Sequence, residues 1–458
     1  MKLIYGIKDR PKFGQVIIFA IQQLLAIMAA TLVVPVIINT SGSMPEGAPA
    51  MSSAAALFGA GIGTLVYLLF TRFKSPVFLG SSFAFIGSMC SAFAGAISAQ
   101  AGYLGLIIGA VCAGLVYVVI ALIVKFAGVK WISKLMPAVV IGPTVAIIGL
   151  SLAGNAIGDL QTAPAGGSSY VAILCGLVTL AVTMLCATFG KKMIRLIPFI
   201  MGILAGYAVA TVFTVIGNVA DIDALKVINF APLTNLFTDF SIKSIVSVPD
   251  FTFVEALKGV KDIDAAYVGT VAVAYAPVAF VVFAEHIADH KNLSTIIESD
   301  LLEEPGLHNT LLGDGVGSMA GAFFGGCPNT TYGESVGCVA ITGNASVITI
   351  LTTAVMAIVI SFLSPFVAFV NTIPSCVMGG VCMALYGFIA VSGLKMIQKV
   401  DLEQNRNLFV VSVILITGIG GLSVSFGKVT LTTIACALIL GILANVMLGV
   451  KDKKKDEE

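Results

Sequence analysis

The stretch GGCPNTTYGE, residues 325–334, decides the fold because it places helix-breaking residues and one charge inside an otherwise uncharged region. A carboxylate at membrane depth, such as that of Glu334, costs at least ~2.5 kcal/mol, so it usually binds a ligand or carries protons. Glu285 presents the same case, because it ends the uncharged run of residues 268–284. The alternative for both is a structural carboxylate held by neighbouring helices.

Composition indicates an integral membrane protein. Of 458 residues, 58% are hydrophobic and 11% are charged, whereas a soluble domain carries about 25% charged residues. The net charge of +1 gives no indication of nucleic acid binding, and the nine cysteines include no C-x-x-C pair. We therefore expect no enzyme, no cofactor and no metal site. Residues 1–12 are charged and precede a long apolar run, which is not typical of a cleavable signal peptide.

Apolar segments of about 20 residues, long enough to cross a bilayer, recur between short polar breaks. Two further segments, 77–97 and 327–342, are weaker because they are rich in Gly, Ser, Thr and Pro. The predicted fold class is an all-α polytopic membrane protein with 14 transmembrane segments. The stronger segments cover residues 16–38, 51–70, 102–124, 137–157, 171–189, 197–216, 267–287, 307–324, 347–370, 377–394, 408–424 and 430–450.

The distribution of basic residues supports that count. With 14 alternating segments and both termini in the cytoplasm, all but five of the 25 Lys and Arg residues lie on the cytoplasmic side. Omitting either weak segment would destroy this asymmetry. The five exceptions are Lys226, Lys243, Lys258, Lys261 and Lys428.

The polar connection 218–264 divides the segments into two sets of seven, which predicts a 7+7 inverted repeat of the kind found in transporters. The weak segments occupy equivalent positions, third and tenth. Each opens with proline followed by glycine and hydroxyl residues, in PVFLGSSF (76–83) and PNTTYGE (328–334). Paired interrupted segments of this kind indicate a transporter binding site.

Non-helical backbone at membrane depth must be covered by protein or line a polar cavity. We predict that residues 77–80 and 327–330 are short extended pieces that pair, each followed by a half-helix starting near Ser82 or Gly333. The free N–H groups of a half-helix favour carbonyl oxygens or anions. Glu334 would accept N–H groups, so a ligand with both C=O and N–H groups fits. Phe83 could stack on a flat ligand or simply pack.

Four polar residues follow the apolar run that ends at Ala284. Glu285 and Asp289 share one helix face and His286 and His290 share the next. Two stacked acids repel one another, which favours a proton on one of them and suggests a proton carrier. The alternative is a helix end in cytoplasmic water, and for the two histidines we favour that interpretation. Residues 292–307 are expected to form a solvated loop or an interfacial helix.

These residues together resemble the nucleobase–ascorbate transporter family, and most closely its bacterial uracil-permease branch. The resemblance covers nearly the whole chain. Glu334 opens the family signature, where purine carriers tend to have glutamine and ascorbate carriers proline. The specific segments are GSSFAFI (80–86), AEHI (284–287), DLL (300–302) with PGLH (305–308), PNTTYGE (328–334), Pro374 with VMGGV (377–381), and LYG (385–387).

The resemblance implies that spans three and ten are interrupted by a short strand and that substrate lies between their half-helices. It also implies a core domain (residues 1–135 and 265–370), a gate domain (136–217 and 371–450), an extracytoplasmic connection (218–264) and a charged cytoplasmic tail (451–458). Substrate binding is carried onto Glu285, Glu334, Gly333, Phe83 and Ala30, and proton coupling onto Glu285 and Asp289.

Three residues depart from the family pattern. Gln23 stands where the first span often has histidine, Asp289 where uracil permeases have a histidine, and Ser335 replaces the usual asparagine. If proton coupling persists here, an acid instead of an imidazole must support it.

The resulting hypothesis is a bacterial cytoplasmic-membrane protein that couples uracil uptake to protons by alternating access of the core against the gate domain. Its partners would be uracil or a related nucleobase, protons and the lipid bilayer. The sequence leaves both a monomer and a homodimer as alternatives. One alternative is a symporter of xanthine or another purine. Another is an anion exchanger or channel of related architecture.

Overall fold

The computed structural model describes residues 3–128, 137–164, 166–191, 193–238, 241–426 and 429–455. The chain is 76% helical, as its apolar runs predict. The predicted domain boundary at residue 135, the predicted cytoplasmic residues Lys2, Lys130, Lys134 and Lys192, the exception Lys428, and residues 456–458 of the predicted tail lie outside the described residues.

The described residues of the first half form eight helices, α1 to α8, and one short strand. Serine side chains cap two of the helices: Ser52 accepts the N–H of Ala55, and Ser98 accepts that of Ala101. The elements are α1 Phe13–Thr40, α2 Ser53–Phe70, β1 Leu79–Ser81, a 3₁₀ turn Phe83–Phe85, α3 Ile86–Ala94, α4 Ala99–Ala127, α5 Ala138–Ser151, α6 Ala153–Gln161, α7 Ser169–Phe189, the turn Met193–Leu196 and α8 Pro198–Ala220.

The connection contains the short helices Ala231–Thr238 and Thr252–Lys258 and the 3₁₀ turns Asp223–Leu225, Ile242–Ser244 and Val260–Asp262. The second half repeats the long-helix and short-strand pattern. Its elements are α9 Ala265–Ile297, a π turn Leu302–Gly306, α10 Leu307–Gly325, β2 Asn329–Thr331, α11 Gly333–Thr342, α12 Val347–Ser361, α13 Ser364–Thr372, α14 Ser375–Ile397, α15 Asn405–Ile419, β3 Val424–Phe426, β4 Val429–Leu431 and α16 Thr433–Lys455.

The described helices pack in two groups. In one, α2 packs on α10 and α12, α4 packs on α9 and α10, and α1 packs on α12. In the other, α14 packs on α5, α6 and α7, while α7 packs on α8 and α15 packs on α5 and α16. Glycines permit the close approaches, since a Cβ at Gly59 or Gly149 would meet backbone atoms of the neighbouring helix.

The span predicted over residues 347–370 is divided into two helices, Val347–Ser361 and Ser364–Thr372. The chain leaves the helix after Ser361, and Leu363 is extended, with φ −78° and ψ 104°. Pro365 stands in the first turn of α13, where its missing N–H is tolerated, whereas inside a continuous helix it would break a hydrogen bond. Leu363 also bridges to Val246 of the connection.

The predicted boundaries around residues 408–450 also need correction. Helix α15 ends at Ile419, and Gly421 follows with a positive φ of 74°. The chain then forms an antiparallel hairpin, β3–β4, before α16 begins. Thr430, predicted to open the last helix, is therefore in a strand.

Substitution of Gly80 tests how tightly the strand region is packed. A Cβ at Gly80 would fall on the ring of Tyr332, whose hydroxyl donates to the Ser81 carbonyl at 2.8 Å. We expect Gly80→Ala to destabilise the protein by about 1–3 kcal/mol through overpacking, measured as a lower melting temperature in detergent. The control is Gly154→Ala, because a Cβ at this helical position meets no atom within 4 Å. Equal melting temperatures would contradict the packing described.

Candidate functional site

Two short strands pair in the interior, so the non-helical backbone there forms its hydrogen bonds within the protein. Strands β1 and β2 are antiparallel, and two flanking bonds extend the ladder, from Ser82 N to Pro328 O at 2.8 Å and from Tyr332 N to Phe78 O at 3.2 Å. The predicted pairing is therefore found, displaced by one or two residues. The register is Leu79 to Thr331, Gly80 to Thr330 and Ser81 to Asn329.

Neighbouring helices fix this strand pair in place. The N–H of Leu79 donates to the Thr64 hydroxyl at 2.9 Å, and the Asn329 amide donates to the Gly59 carbonyl at 3.0 Å, so both strands are bonded to α2. A Cβ at Gly63 would collide with the Asn329 amide. The strand pair therefore belongs to the helix group that contains α2 and α10.

The residues that depart from the family pattern lie beside the strands. The Gln23 amide donates to the buried Ser335 hydroxyl at 2.5 Å, and the same oxygen accepts the N–H of Phe78 at 3.0 Å. Ser335 thus joins α1, the segment before β1, and α11. Two of the three departures, Gln23 and Ser335, are therefore direct hydrogen-bond partners in this structure.

A cavity of about 430 Å³ lies against the ends of both strands. One wall comes from the segments after β1 and β2 and from α9, and the other from α5, α8 and α14, so the cavity lies between the two helix groups. The first wall includes Ser82, Phe83, Glu285, Asp289, Thr330, Gly333 and Glu334, and the second includes Ile141, Val145, Ile148, Phe199, Leu385, Phe388 and Ser392.

The acidic side chains predicted from the sequence meet in this cavity. Glu285 and Asp289 come from adjacent turns of α9, and Glu334 lies in the first turn of α11. Asp289 is only 9% exposed, and its carboxylate accepts the Thr331 hydroxyl at 2.9 Å. The start of α11 also presents free N–H groups and the positive end of its dipole to the cavity. Carboxylate acceptors and backbone donors therefore occur side by side.

Five of the six predicted site residues line this cavity: Phe83, Glu285, Asp289, Gly333 and Glu334. The sixth, Ala30, is 1% exposed and packs within α1 among apolar neighbours. It does not contribute to the cavity wall as the structure describes it.

The interpretation of His286 and His290 as solvated residues is wrong, because neither has exposed surface. Helix α9 continues to Ile297, ten residues beyond the predicted end of that span, so both rings are covered by other helices. His290 contacts Tyr67 of α2, with 2.6 Å between the ring nitrogen and the hydroxyl. The two imidazole rings stack with their centroids 4.0 Å apart.

Sequence reasoning missed Asp314 on α10. Its carboxylate lies 2.7 Å from His286 Nδ1, and His286 Nε2 lies 3.0 Å from the Thr310 hydroxyl. The pair is buried directly behind the cavity-facing side of α9 and joins α9 to α10. The signal that identified Glu285 was present here too, since Asp314 is the only acid in residues 307–324.

The architecture and the interior polar cavity define a multi-pass membrane protein of the transporter type. The family model described as the Permease family matches residues 14–426. The chain belongs to this family, the nucleobase–ascorbate transporters, which confirms the resemblance inferred from its motifs.

Several curated relatives match over nearly their full length. The uracil permease of Bacillus caldolyticus is 37% identical, with 98% of this chain and 95% of the relative covered. The uracil permease of Bacillus subtilis (strain 168) is 36% identical, with 99% and 98% covered. That of Escherichia coli (strain K12) is 33% identical, with 99% and 96% covered.

Solved structures of anion transporters share the fold. The transmembrane domain of the cyanobacterium bicarbonate transporter BicA superposes with a TM-score of 0.60 at 15% identity, covering 96% of this chain and 99% of that chain. Murine Slc26a9 in the inward-facing state gives a TM-score of 0.62 at 12% identity, covering 97% and 69%. At these identities the likeness shows the fold alone.

Removal of the Ser335 hydroxyl tests the support of the strand pair. Ser335→Ala leaves the N–H of Phe78 and the Gln23 amide without their buried acceptor, which costs about 1–3 kcal/mol. We expect a lower melting temperature in detergent. Ser361→Ala is the control, because Ser361 is equally buried and its hydroxyl donates to the Ile358 carbonyl of its own helix, with no other partner among the described residues. An unchanged melting temperature for Ser335→Ala would contradict this bracing.

Proposed function

We propose that the protein imports uracil across the bacterial cytoplasmic membrane together with protons. The observation that carries this proposal is the cavity between the two helix groups, which is lined by Glu285 and by the start of α11 with Glu334. The curated relatives named above are uracil permeases, which supports the same substrate.

The chemistry of the cavity suits uracil, a flat and uncharged ring with two N–H donors and two C=O acceptors. Carboxylates accept the N–H groups, and the first backbone N–H groups of α11 donate to a carbonyl. Gly333 allows close approach because it has no side chain. The ring of Phe83, partly buried at the cavity wall, offers a face for stacking.

Fourteen spans in an inverted repeat account for the described helices. Eight of them, with α5 and α6 counted together as Ala138–Gln161, are long and apolar enough to cross a membrane. Six shorter pieces would complete the set: four apolar helices, Phe83–Ala94, Val347–Ser361, Asn405–Ile419 and Thr433–Gly449, together with α10 and α11. The pieces containing α3 and α11 are preceded by the strands β1 and β2, so they are the interrupted spans in this proposal. The distribution of Lys and Arg along the sequence supports an orientation with both termini in the cytoplasm.

Transport would proceed by movement of the core domain against the gate domain. The site acids belong to α9 and α11 in the helix group of the core, whereas Ile148, Phe199 and Ser392 belong to the other group. A site divided between two packed units is exposed to alternate sides when one unit shifts. The cavity between them is therefore the natural position for substrate.

Proton coupling is assigned to Glu285 and Asp289. The two carboxyl groups lie one helical turn apart in a region of low charge, so the charge on one changes how readily the other takes up a proton. Uracil binding at Glu285 would change the proton affinity of both carboxyl groups, and this would couple substrate binding to proton binding. The Thr331 hydroxyl holds Asp289 in place.

An anion exchanger is the second candidate, because the fold resembles that of a bicarbonate transporter. The described residues that line the cavity include no Lys or Arg, while three are acids. An anion would meet like charges there, so this candidate is the weaker one. A purine symporter is disfavoured by Glu334 at the first signature position.

Uptake by proteoliposomes tests the function. We expect radiolabelled uracil to accumulate when an inward proton gradient is imposed, and unlabelled uracil to compete better than xanthine. Uptake that xanthine blocks more strongly would identify a purine carrier. Bicarbonate or chloride flux without uracil uptake would identify an anion transporter.

Glu334→Gln should reduce uracil affinity by at least about tenfold, since its amide NH₂ can face a ligand N–H where an acceptor is needed. A mismatched buried polar pair costs about 1–3 kcal/mol, and more when a charge is involved. Binding is measured by titration calorimetry on purified protein. The control is Glu303→Gln, an exposed acid outside the cavity. Wild-type affinity in folded Glu334→Gln would remove Glu334 from the site.

Glu285→Gln should abolish proton-driven accumulation, because the amide cannot carry the proton, and it should weaken binding if the carboxylate holds a uracil N–H. Asp289→Asn should retain binding but change the pH dependence of uptake, since it removes the charge next to Glu285. Both are measured in proteoliposomes across pH. An unchanged pH profile for Asp289→Asn would leave Glu285 to carry protons without it.

A further inference from the structure

A second cavity of about 410 Å³ lies along α3, next to the acidic cavity that is proposed to hold uracil and is called the substrate cavity below. Five residues of the third segment line it at helical spacing, so one continuous face of this half-helix is open: Phe83, Ile86, Gly87, Cys90 and Ser91. At 1.5 Å per residue this face is about 12 Å long. A Cβ placed at Gly87 meets no atom within 4 Å, which independently shows open space at the middle of the face.

The opposite wall continues the gate side of the substrate cavity. Ile141, Val145 and Ile148 of α5 line the substrate cavity, and the next turns of the same segment, at Ser151 and Asn155, line the second one. Phe83 and Ile148 line both cavities. These two side chains therefore form the partition between two spaces that follow the same pair of helices.

The second cavity has a mostly apolar wall with several uncharged polar groups, and its described lining residues include no charged side chain. Hydroxyl groups come from Ser91, Ser151 and, at the start of α16, Thr432, and an amide comes from Asn155. The Ser91 and Ser151 hydroxyls donate to carbonyls of their own helices and can still accept a hydrogen bond, the amide can donate and accept, and apolar residues such as Ile86 supply contact surface. Such a lining suits an uncharged, planar molecule with several hydrogen-bonding groups.

We infer that this second cavity, here called the outer cleft, is a binding site for an uncharged nucleobase on its way to the acidic site. The inference rests on the proposed function, in which the C-terminal end of α3 lies on the side of the membrane opposite the chain termini. Phe83 and Ile148 are the barrier between the two sites. A base would pass when the shift of core against gate separates these two side chains.

The half-buried thiol of Cys90 in the outer cleft makes the inference testable. A variant that retains Cys90 alone, with the other eight cysteines replaced, is treated in right-side-out vesicles with a membrane-impermeant thiol reagent. We expect modification of Cys90 from outside, at least about fivefold slower in saturating uracil, and loss of uptake after modification. The matched control retains only Cys112, which is half-buried on α4 beside the exposed side chains of Val111 and Leu115. In the proposed membrane arrangement this surface meets lipid, so Cys112 should not react.

Gly87→Phe gives a second readout. The side chain fills open space, so the protein should fold, bind uracil at the acidic site in detergent with affinity within about threefold of wild type, and lose uptake by at least about tenfold. The outer cleft would be rejected as a binding site if Cys90 reacted only after denaturation or if uracil did not slow its reaction. Normal uptake by Gly87→Phe would also reject it. Failure of the proposed function appears differently, as absent uracil uptake by the wild-type protein while Cys90 remains reactive.

Discussion

The pairing of β1 with β2 is the interaction on which the site depends. Backbone N–H and C=O groups inside a bilayer have no water to bond, so an extended segment there must find protein partners. Each strand supplies the partners of the other, and α2 bonds both through Thr64 and Gly59. With the strands satisfied in this way, a turn and a helix can begin in the interior at Phe83 and Gly333, and a helix start offers N–H groups that a continuous span would consume.

The helix that carries Glu285 and Asp289 is held by polar contacts on the side that faces away from the cavity. Glu285 and Asp289 face the cavity, whereas His286 and His290 on the other side of α9 contact Asp314, Thr310 and Tyr67. His286 Nδ1 and the Asp314 carboxyl group lie 2.7 Å apart and form a buried hydrogen bond. Breaking a buried pair of this kind is strongly destabilising. The rotation of α9, and with it the direction of Glu285, is therefore fixed by a polar contact on its far side.

Local signals made much of this arrangement predictable. Pro328, Gly333 and the hydroxyl residues between them mark the break in a helix, and the lack of charge around Glu285 and Glu334 draws attention to both. The break at Leu363 was also signalled locally, by Pro365. The burial of His286 could not be predicted, because it depends on α10 covering a helix end that looks solvated in sequence. Ala30 carries no local signal of whether a small residue faces a cavity or packs in a helix interface.

The central claim is that carboxylates in the cavity accept the N–H groups of uracil, and binding of methylated uracils tests it most directly. Calorimetry on the purified protein compares uracil, 1-methyluracil, 3-methyluracil and xanthine. The account predicts that uracil binds most tightly and that at least one N-methyl group lowers affinity about tenfold or more, since a lost buried hydrogen bond costs about 1–3 kcal/mol. Equal binding of uracil and both methylated forms, or tighter binding of xanthine, would contradict it.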